Sequence, residues 1–284
     1  MKITNYKKYF VSQLSSRYPT EEILSFFYIL AEVFLNKTRF QLSLDTNATL
    51  TEIQHQQFEN GLQRLKQNEP IQYIVGVTEF YGIPFKVTPA TLIPRPETEE
   101  LVDWILNSEI NIQHSELKIL DIGTGSGCIA ISLAKNLTTA SVSAIDFSKE
   151  ALTIAAGNAK NNKVEVSFHQ IDVLATNSLP DKYDIIVSNP PYVRELEKKM
   201  MQANVTEYEP SSALFVEDDN PFIFYEKITY LAKKHLTSNG LLYFEINEYL
   251  SEELMQLIES IGFSGVICKK DMFGKPRMIR CKLK

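Results

Sequence analysis

Hydrophobic and polar positions divide the chain into a helical first part and an alternating second part. Up to about residue 68, apolar side chains recur at the three- and four-residue spacing of amphipathic helices. Pro19-Thr20-Glu21-Glu22 predicts a helix start, with Thr20 as the cap and two carboxylates at the positive dipole end. Thr51-Glu52-Ile53-Gln54 matches a capping box that opens another helix through Leu65. The pattern predicts a small helical bundle, which either recognises a partner or is only a packing appendage.

Residues 71–95 have a different pattern, typical of a β-hairpin. Two short apolar runs flank a turn that contains Gly82. The segment 92–99 then leads into a helix, because Pro96 suits a first helical turn and acidic residues follow it. Arg95 lies between two prolines and has a stiff backbone. It either orients a carboxylate or a cofactor group, or forms a surface salt bridge.

From residue 117 the pattern alternates between strands and helices, which predicts a mostly parallel sheet with helices on both faces. The strand candidates are residues 118–122, 141–145, 164–169, 184–188, 240–246, 262–268 and 276–281. The helix candidates are residues 127–136, 148–160, 221–238 and 250–261. The last two strands have little chain between them, which indicates an antiparallel hairpin. Residues 193–220 show no clear period and are predicted to form a mobile loop over the site.

Composition excludes some classes of protein. The chain has 284 residues, of which 44% are hydrophobic, enough for a sizeable core. Its net charge of -6 argues against a protein whose whole surface grips nucleic acid, although a local basic patch stays open. The 3 cysteines are scattered, so neither a metal site nor a disulfide framework is expected, which fits a reducing compartment. We predict a cytoplasmic protein, because no apolar run is long enough to span a membrane.

A glycine-rich turn follows the strand candidate 118–122. Its residues are Gly123, Thr124, Gly125, Ser126 and Gly127. Glycines allow unusual φ angles and let a ligand approach the backbone closely. A dinucleotide fingerprint would have glycine at position 128, and Cys128 there weakens a dehydrogenase interpretation. Asp121, inside the strand, either binds the cationic amino end of a cofactor or caps the turn.

Acidic residues follow the next two strands. Asp146 stands where a carboxylate can accept both hydroxyls of a ribose. Ser148 is predicted to cap the helix that begins there. Asp172 follows the third strand and either accepts the adenine amino group or is a plain loop acid. These acids and the glycine-rich turn indicate a nucleoside site at one edge of the sheet.

A rigid polar corner follows the apolar strand candidate 184–188. The strand stops at Asn189-Pro190-Pro191-Tyr192, because proline cannot donate to a sheet ladder and fixes φ. The side chain of Asn189, the carbonyl of Pro190 and the ring of Tyr192 are suited to hold a planar amide or amino group. Alone, this motif would more often be a turn that merely ends a strand; the glycine-rich turn upstream favours a site.

These motifs together resemble a known class of enzyme. The loop 123–127, Asp146, Asp172 and the Asn189–Tyr192 tetrapeptide resemble the class I S-adenosylmethionine-dependent methyltransferases, an α/β, Rossmann-like, seven-stranded fold with a reversed terminal hairpin. Such tetrapeptides are similar to those of enzymes that methylate adenine N6 or glutamine N5. The stretches 70–76, 80–82 and 92–99 closely resemble the release factor glutamine methyltransferase family (PrmC, also called HemK), and the resemblance covers the whole chain.

The resemblance implies a function and a set of site residues. It implies methylation of the glutamine of the Gly-Gly-Gln motif in class-1 peptide chain release factors, with S-adenosyl-L-homocysteine as the product. Catalysis is assigned to Asn189, Pro190 and Tyr192, and substrate binding also to Pro191 and Arg95. Cofactor binding is assigned to Asp121, Gly123, Thr124, Gly125, Ser126, Gly127, Asp146, Asp172, Val173 and Asn189. Val173 stands where some members place a tryptophan that stacks on adenine.

The same resemblance divides the chain and sets its alternatives. It implies a helical substrate-recognition domain in residues 1–70, a β-hairpin linker in 71–95 and the methyltransferase domain in 96–284. A monomer is expected, with neither nucleic acid nor membrane required. One alternative is a nucleic-acid adenine N6 methyltransferase. The other is a cofactor-sensing binding module built on an inactive methyltransferase, against which the intact Asn189–Tyr192 motif argues.

Overall fold

The chain folds as two compact units. The computed structural model describes residues 1–45, 47–108 and 116–284. One unit comprises Met1–Val77 and Gln202–Tyr208, and the other comprises Thr78–Met201 and Glu209–Lys284. None of the helices in these ranges combines the length and apolarity needed to cross a bilayer. The domain bounds 1–70, 71–95 and 96–284 stay a prediction.

The first unit is helical. The helices of its Met1–Val77 part are α1 (Ile3–Leu14), α2 (Thr20–Leu35), α3 (Arg39–Leu44), α4 (Glu52–Lys66) and α5 (Ile71–Val75). Their apolar faces bury a core that includes Phe10, Phe27 and Phe58. The capping box of α4 is confirmed, since Thr51 Oγ1 accepts from the Gln54 amide at 3.2 Å. The capping role predicted for Thr20 is wrong, because Thr20 is already helical and Pro19 precedes it as the N-cap.

A two-stranded sheet and a helix open the second part of the chain. Strands β1 (Val77–Phe80) and β2 (Ile83–Lys86) form the predicted hairpin. Its turn residues Tyr81 and Gly82 have φ of 50° and 71°, the positive values that the I′ hairpin turn requires. Helix α6 (Pro96–Leu106) begins with Pro96 in its first turn, as predicted.

A seven-stranded sheet forms the body of the second unit, in the order β10-β11-β9-β6-β3-β4-β5. The elements after α6 are β3 (Lys118–Ile122), α7 (Cys128–Asn136), β4 (Ser141–Asp146), α8 (Lys149–Asn162), β5 (Ser167–Gln170), β6 (Tyr183–Ser188), β7 (Val193–Arg194), α9 (Ala203–Tyr208), β8 (Phe215–Val216), α10 (Ile223–His235), β9 (Leu236–Glu245), α11 (Ser251–Ile261), β10 (Phe263–Lys270) and β11 (Pro276–Leu283). Within this sheet the five neighbouring strands β9, β6, β3, β4 and β5 pair in parallel. Strand β11 is antiparallel to both β9 and β10. The predicted parallel sheet with a reversed terminal hairpin is confirmed.

Helices cover both faces of this sheet. The β6 side chains Ile185 and Val187 join a core with residues of α6 and α7. The side chain between them, Ile186, joins a core with residues of α10 and α11. All three are fully buried, which explains why β6 is a continuous apolar run and not an alternating one.

The segment 193–220 differs from its prediction. It was expected to lack regular structure, yet it contains β7, α9, β8 and two short 3₁₀ helices, none longer than 6 residues. Elements this short complete no recognisable hydrophobic period, so the sequence pattern missed them. Within the helical unit, Tyr208 Oη donates to the carbonyl of Gln67 at 2.8 Å. The segment is therefore divided between the two units.

Candidate active site

The candidate site lies at the carboxyl edge of the parallel strands. Strand β3 lies between β4 and β6, so the order of the strands reverses there. In open α/β sheets ligands bind at such a reversal, beyond the carboxyl ends of the strands. The glycine-rich turn follows β3, Asp146 ends β4, the Asn189–Tyr192 corner follows β6 and Glu245 ends β9.

The glycine-rich turn adopts a backbone that other residues resist. Gly123, Gly125 and Gly127 have φ of 74°, 56° and 84°. At Gly127 space is restricted as well, since a Cβ atom there would lie 2.8 Å from Ile131 Cδ1. The amides of Gly123 and Thr124 donate to the carbonyl of Ile145 at 2.9 and 3.1 Å, which ties the turn to β4.

Asp121 holds the turn with one carboxylate oxygen. Its Oδ2 accepts from the Thr124 hydroxyl at 2.6 Å and from the Ala130 amide at 3.3 Å. Its Oδ1 is buried and has no hydrogen-bond partner among the residues that the structure describes. Burial raises the pKa of Asp121 to about 7. The side chain therefore performs the capping role, and its second oxygen offers a buried acceptor for a cation or donor.

Asp146 is held by backbone amides at the end of β4. Its Oδ1 accepts from the Ser148 amide and its Oδ2 from the Gly125 amide, both at 2.9 Å. Burial raises its pKa, although these amide hydrogen bonds oppose the shift. Ser148 Oγ caps α8 by accepting from the Ala151 amide at 3.1 Å, as predicted. The carboxylate is thus fixed between the turn and the next helix.

Asp172 and Val173 follow β5 on the same edge. Asp172 is exposed, and its Oδ1 accepts from the Leu174 amide at 2.9 Å. Val173 is half-buried and packs against the core between the sheet and α10. Phe147, next to Asp146, is 54% exposed and lines a cavity that these strand ends form, although sequence reasoning did not select it.

Side chains from two other segments, α6 and the chain around the end of β9, hold the corner after β6. Asn189 Nδ2 donates to Thr98 Oγ1 at 3.3 Å. Tyr192 Oη donates to Glu245 Oε1 at 3.1 Å, and burial raises the pKa of this phenol. The carbonyl of Tyr192 accepts from Asn247 Nδ2 at 3.0 Å. The corner is therefore fixed at its first and last residues by partners distant in sequence.

One buried carboxylate connects these contacts. Glu245 is 1% exposed, and its Oε2 accepts from the Thr98 hydroxyl at 2.6 Å. Burial raises its pKa, whereas the hydrogen bonds from Thr98 and Tyr192 lower it. Sequence reasoning missed Thr98, Glu245 and Asn247. For Glu245 a signal existed, because it ends an apolar strand as Asp146 does.

Arg95 pairs with a carboxylate of the chain itself. Its Nη2 lies 2.6 Å from Glu209 Oε1, and Glu209 Oε2 accepts from the Ile93 amide at 3.1 Å. Glu209 is 6% exposed, so this ion pair lies partly inside the unit and is not the surface salt bridge considered above. It fixes the segment after α9 against the chain that precedes α6.

The glycine-rich turn, the carboxyl ends of β4 and β5 and the corner after β6 line a cavity of about 560 Å³. The predicted residues that line it are Arg95, Gly123, Thr124, Gly125, Ser126, Asp146, Asp172, Val173, Asn189, Pro190 and Pro191. Three predicted residues do not line it: Asp121, Gly127 and Tyr192. Asp121 accepts from the lining residue Thr124, and Tyr192 donates to Glu245, which also accepts from the lining residue Thr98. Thr98 lines the cavity too. Its size suits a nucleoside cofactor, and the positive-φ turn with the Asp146 carboxylate gives the cavity a polar side.

Comparison with known proteins identifies the family. Residues 7–76 match the family model of the PrmC N-terminal domain, and residues 104–208 match that of the methyltransferase small domain. The release factor glutamine methyltransferase of Flavobacterium psychrophilum is 53% identical over 281 residues, which cover 99% of each chain. The chain belongs to the release factor glutamine methyltransferase family. The Bacteroides thetaiotaomicron member is 43% identical over 95% of this chain and 96% of its own.

Solved structures agree on the fold of this family member. A methyltransferase from Pyrococcus furiosus is 19% identical, with a TM-score of 0.53 over 80% of this chain and 99% of that one. At this identity the likeness shows the fold alone. Family membership confirms the resemblance drawn from the sequence, whereas the roles of individual site residues stay predictions.

Proposed function

We propose that this enzyme transfers a methyl group from S-adenosyl-L-methionine to the side-chain N5 of the glutamine in the Gly-Gly-Gln motif of class-1 peptide chain release factors. Family membership supports both the donor and the substrate. The observation that carries the proposal is the Asn189–Tyr192 corner, whose asparagine and prolines line a cavity of cofactor size. S-adenosyl-L-homocysteine is the expected product.

The corner's task is to position a poor nucleophile. A glutamine amide nitrogen reacts weakly because its lone pair is delocalised into the carbonyl. S-adenosyl-L-methionine, when bound, supplies a methyl group on a positively charged sulfur. We assign Asn189 Oδ1 and the carbonyl of Pro190 as acceptors for the two amide N–H groups, with Pro191 and the Tyr192 ring limiting the movement of the amide. As the new N–C bond forms and the sulfur–methyl bond breaks, the nitrogen becomes positively charged and strongly acidic. It loses one N–H proton to solvent, so no strong base is required.

The opposite side of the cavity is assigned to the cofactor. Asp146 is suited to accept the ribose hydroxyls, because its two oxygens keep lone pairs beyond those that the Ser148 and Gly125 amides use. Asp121 Oδ1 is suited to the amino end, since it is buried without a partner among the described residues. Asp172 and Val173 border the adenine region, and residues 123–127 allow close approach to the backbone. Arg95 is assigned to substrate binding next to this site, with Glu209 fixing its orientation.

We assign recognition of the release factor to the helical domain, residues 1–70. This domain exposes large apolar side chains, among them Phe40 and Ile53 at 71% each, which a partner can cover. Phe40→Asp should raise KM for intact release factor and leave the KM for a short Gly-Gly-Gln peptide unchanged. If wild type and Phe40→Asp had equal KM values for intact release factor, Phe40 would be no part of a recognition surface. We further assign the enzyme to the cytoplasm as a monomer.

Mass spectrometry of the release-factor Gly-Gly-Gln peptide tests the function directly. Intact factor and duplex DNA are offered side by side to the enzyme with S-adenosyl-L-methionine. The expected result is one added methyl group on the glutamine and none on DNA adenine. Methylation of DNA alone would transfer the assignment to the adenine N6 methyltransferases, and methylation of neither would favour a cofactor-sensing module.

A further inference from the structure

Two side chains of the Asn189–Tyr192 corner are held through the same buried carboxylate. Tyr192 Oη donates directly to Glu245 Oε1 at 3.1 Å. Asn189 is held through Thr98, whose hydroxyl donates to Glu245 Oε2 at 2.6 Å and accepts from Asn189 Nδ2 at 3.3 Å. We call the Asn189–Thr98–Glu245 series the relay.

The relay has a fixed direction. Both carboxylate oxygens of Glu245 accept, one from Tyr192 and the other from Thr98, so the single hydroxyl proton of Thr98 is donated to Glu245. The remaining lone pairs of Thr98 can only accept. The neighbour of Thr98 must therefore be a donor, which makes it the NH2 group of Asn189 and not its oxygen.

This direction decides what Asn189 offers to the cavity. The oxygen and nitrogen ends of a carboxamide are nearly equal in shape, so hydrogen bonding alone distinguishes its two orientations. With the NH2 group bound to Thr98, Oδ1 remains as an acceptor on a residue that lines the cavity. The reversed orientation would direct N–H groups toward the N–H groups of a substrate amide, an arrangement that repels the substrate.

Packing alone gives no reason for a carboxylate at position 245. Glu245 is 1% exposed, and the ion pairs among the described residues do not include it. Taking a charge out of water onto hydroxyl partners is costly compared with an apolar residue of the same size. A group that can only accept is, however, what the relay requires at its end.

We propose that Thr98, anchored on Glu245, is a positioning residue that holds the Asn189 carboxamide with its oxygen toward the substrate. Thr98 acts through Asn189 and takes no part in the transfer itself. The inference rests on the proposed function, because the glutamine amide is the group that needs this acceptor.

Replacing the hydroxyl of Thr98 tests the role. Thr98→Val keeps the shape and removes the relay; misplacing a reacting group lowers turnover strongly, so we expect the single-turnover methylation rate to fall about tenfold with cofactor affinity unchanged. Thr98→Ser keeps a hydroxyl and should restore most of the rate. The matched control is Thr237→Val, because Thr237 Oγ1 donates to the Asp184 carboxylate at 2.8 Å at the start of β9, away from the carboxyl edge. That variant should react like wild type.

A double-mutant cycle distinguishes the relay from a structural effect. If Thr98 acts through Asn189, Thr98→Val should cause no further loss once Asn189 is alanine. Equal fold losses in the wild-type and Asn189→Ala backgrounds, or a full rate in Thr98→Val alone, would overturn the inference.

A measurement without turnover keeps this inference separate from the proposed function. The side-chain NH2 resonances of Asn189, identified by their loss in Asn189→Ala, should shift in Thr98→Val and stay in place in Thr237→Val. Unmoved resonances in Thr98→Val would also overturn the relay. Failure of the wild-type enzyme to methylate release factor would overturn the proposed function, while the resonances still decide whether the relay orients Asn189.

Discussion

The glycine-rich turn after β3 and the Asn189–Tyr192 corner after β6 follow neighbouring strands, yet they are held in different ways. The turn is fixed mainly by its own backbone and nearby residues: Asp121 accepts from groups 3 and 9 residues further along. The corner is fixed by side chains from distant segments, since Asn189 and Thr98 are 91 residues apart and Thr98 and Glu245 are 147 apart.

The difference suggests a division of labour. A turn made of positive-φ glycines and backbone amides fits a cofactor that is the same in every reaction cycle. A corner held by a hydrogen-bonded network fits a reacting amide that must be aligned closely. Substitutions in the turn should therefore change cofactor affinity or folding stability, and substitutions in the corner should change turnover.

The largest effect is expected at the corner. Asn189→Ala removes the proposed acceptor for the substrate amide, and loss of one preorganised group of this kind should lower turnover by about 100-fold or more. Cofactor affinity should change less than turnover, so single-turnover methylation and calorimetry are measured together. Asn136→Ala is the control, because Asn136 Nδ2 donates to the backbone of α7 at 2.8 Å and plays no part in the site. A near-normal single-turnover rate in Asn189→Ala would contradict the mechanism.

Asn189→Asp sharpens the same test, because it keeps the shape and an acceptor while adding a charge. The added carboxylate attracts the sulfonium and favours the ground state, so the variant should bind cofactor but turn over slowly. An aspartate variant as fast as wild type would show that an acceptor alone is sufficient, whatever its charge.

The next effect is expected at Asp146. Losing one charge-assisted hydrogen bond of the proposed ribose contact should weaken cofactor binding by about 1.5–3 kcal/mol. Turnover at saturating cofactor should change much less, the opposite of the result at Asn189. Calorimetry with S-adenosyl-L-homocysteine measures the affinity. Unchanged cofactor affinity in Asp146→Ala would show that this residue does not bind the cofactor. It would also contradict the expected contrast between cofactor-binding residues and the corner.

The same contrast explains what sequence reasoning found and missed. Positive-φ glycines, the first-turn Pro96 and the Thr51 capping box depend on residues within a few positions, so they were predictable. The parallel sheet followed from periodicity over many elements. Thr98 and Glu245 escaped because their meeting depends on how distant segments pack. The strand predicted from residue 164 begins at Ser167, because the amide of Val164 still bonds back to the carbonyl of Ala159 in α8.

A smaller effect is expected at Gly127, where the measured quantity is folding stability. Gly127→Ala adds a Cβ at a φ of 84° and 2.8 Å from Ile131 Cδ1, so the free energy of unfolding should fall by about 1–3 kcal/mol. Gly157→Ala is the matched control in α8, where a Cβ meets nothing within 4 Å and should stabilise the helix by about 0.4–1 kcal/mol. Thermal or urea unfolding measures both. If Gly127→Ala had the same free energy of unfolding as wild type, the turn would tolerate a side chain at this position.

The smallest effect concerns the pH dependence of cofactor binding. Burial raises the pKa of Asp121 to about 7, so part of the ligand-free protein carries a proton there near neutral pH. The proposed pairing of Asp121 with the cationic amino end of the cofactor requires the carboxylate form. As the pH falls below 7, binding must first release that proton, so affinity should weaken. As one pKa unit corresponds to tenfold, the loss between pH 8 and pH 6 should be about tenfold.

The stability of the ligand-free protein should change in the opposite sense. Since the pKa of Asp121 is higher in the folded protein than its ordinary 3.8, the folded state holds the proton more tightly. The free energy of unfolding is therefore lost as the pH rises from 3.8 toward about 7. Asp121→Asn should flatten both profiles, because the amide does not titrate. Calorimetry in buffers of different ionisation enthalpy counts the proton released on binding. An affinity equally independent of pH in wild type and Asp121→Asn would show that the unpartnered oxygen of Asp121 does not meet the cofactor's charge, leaving this side chain with its local role in the turn.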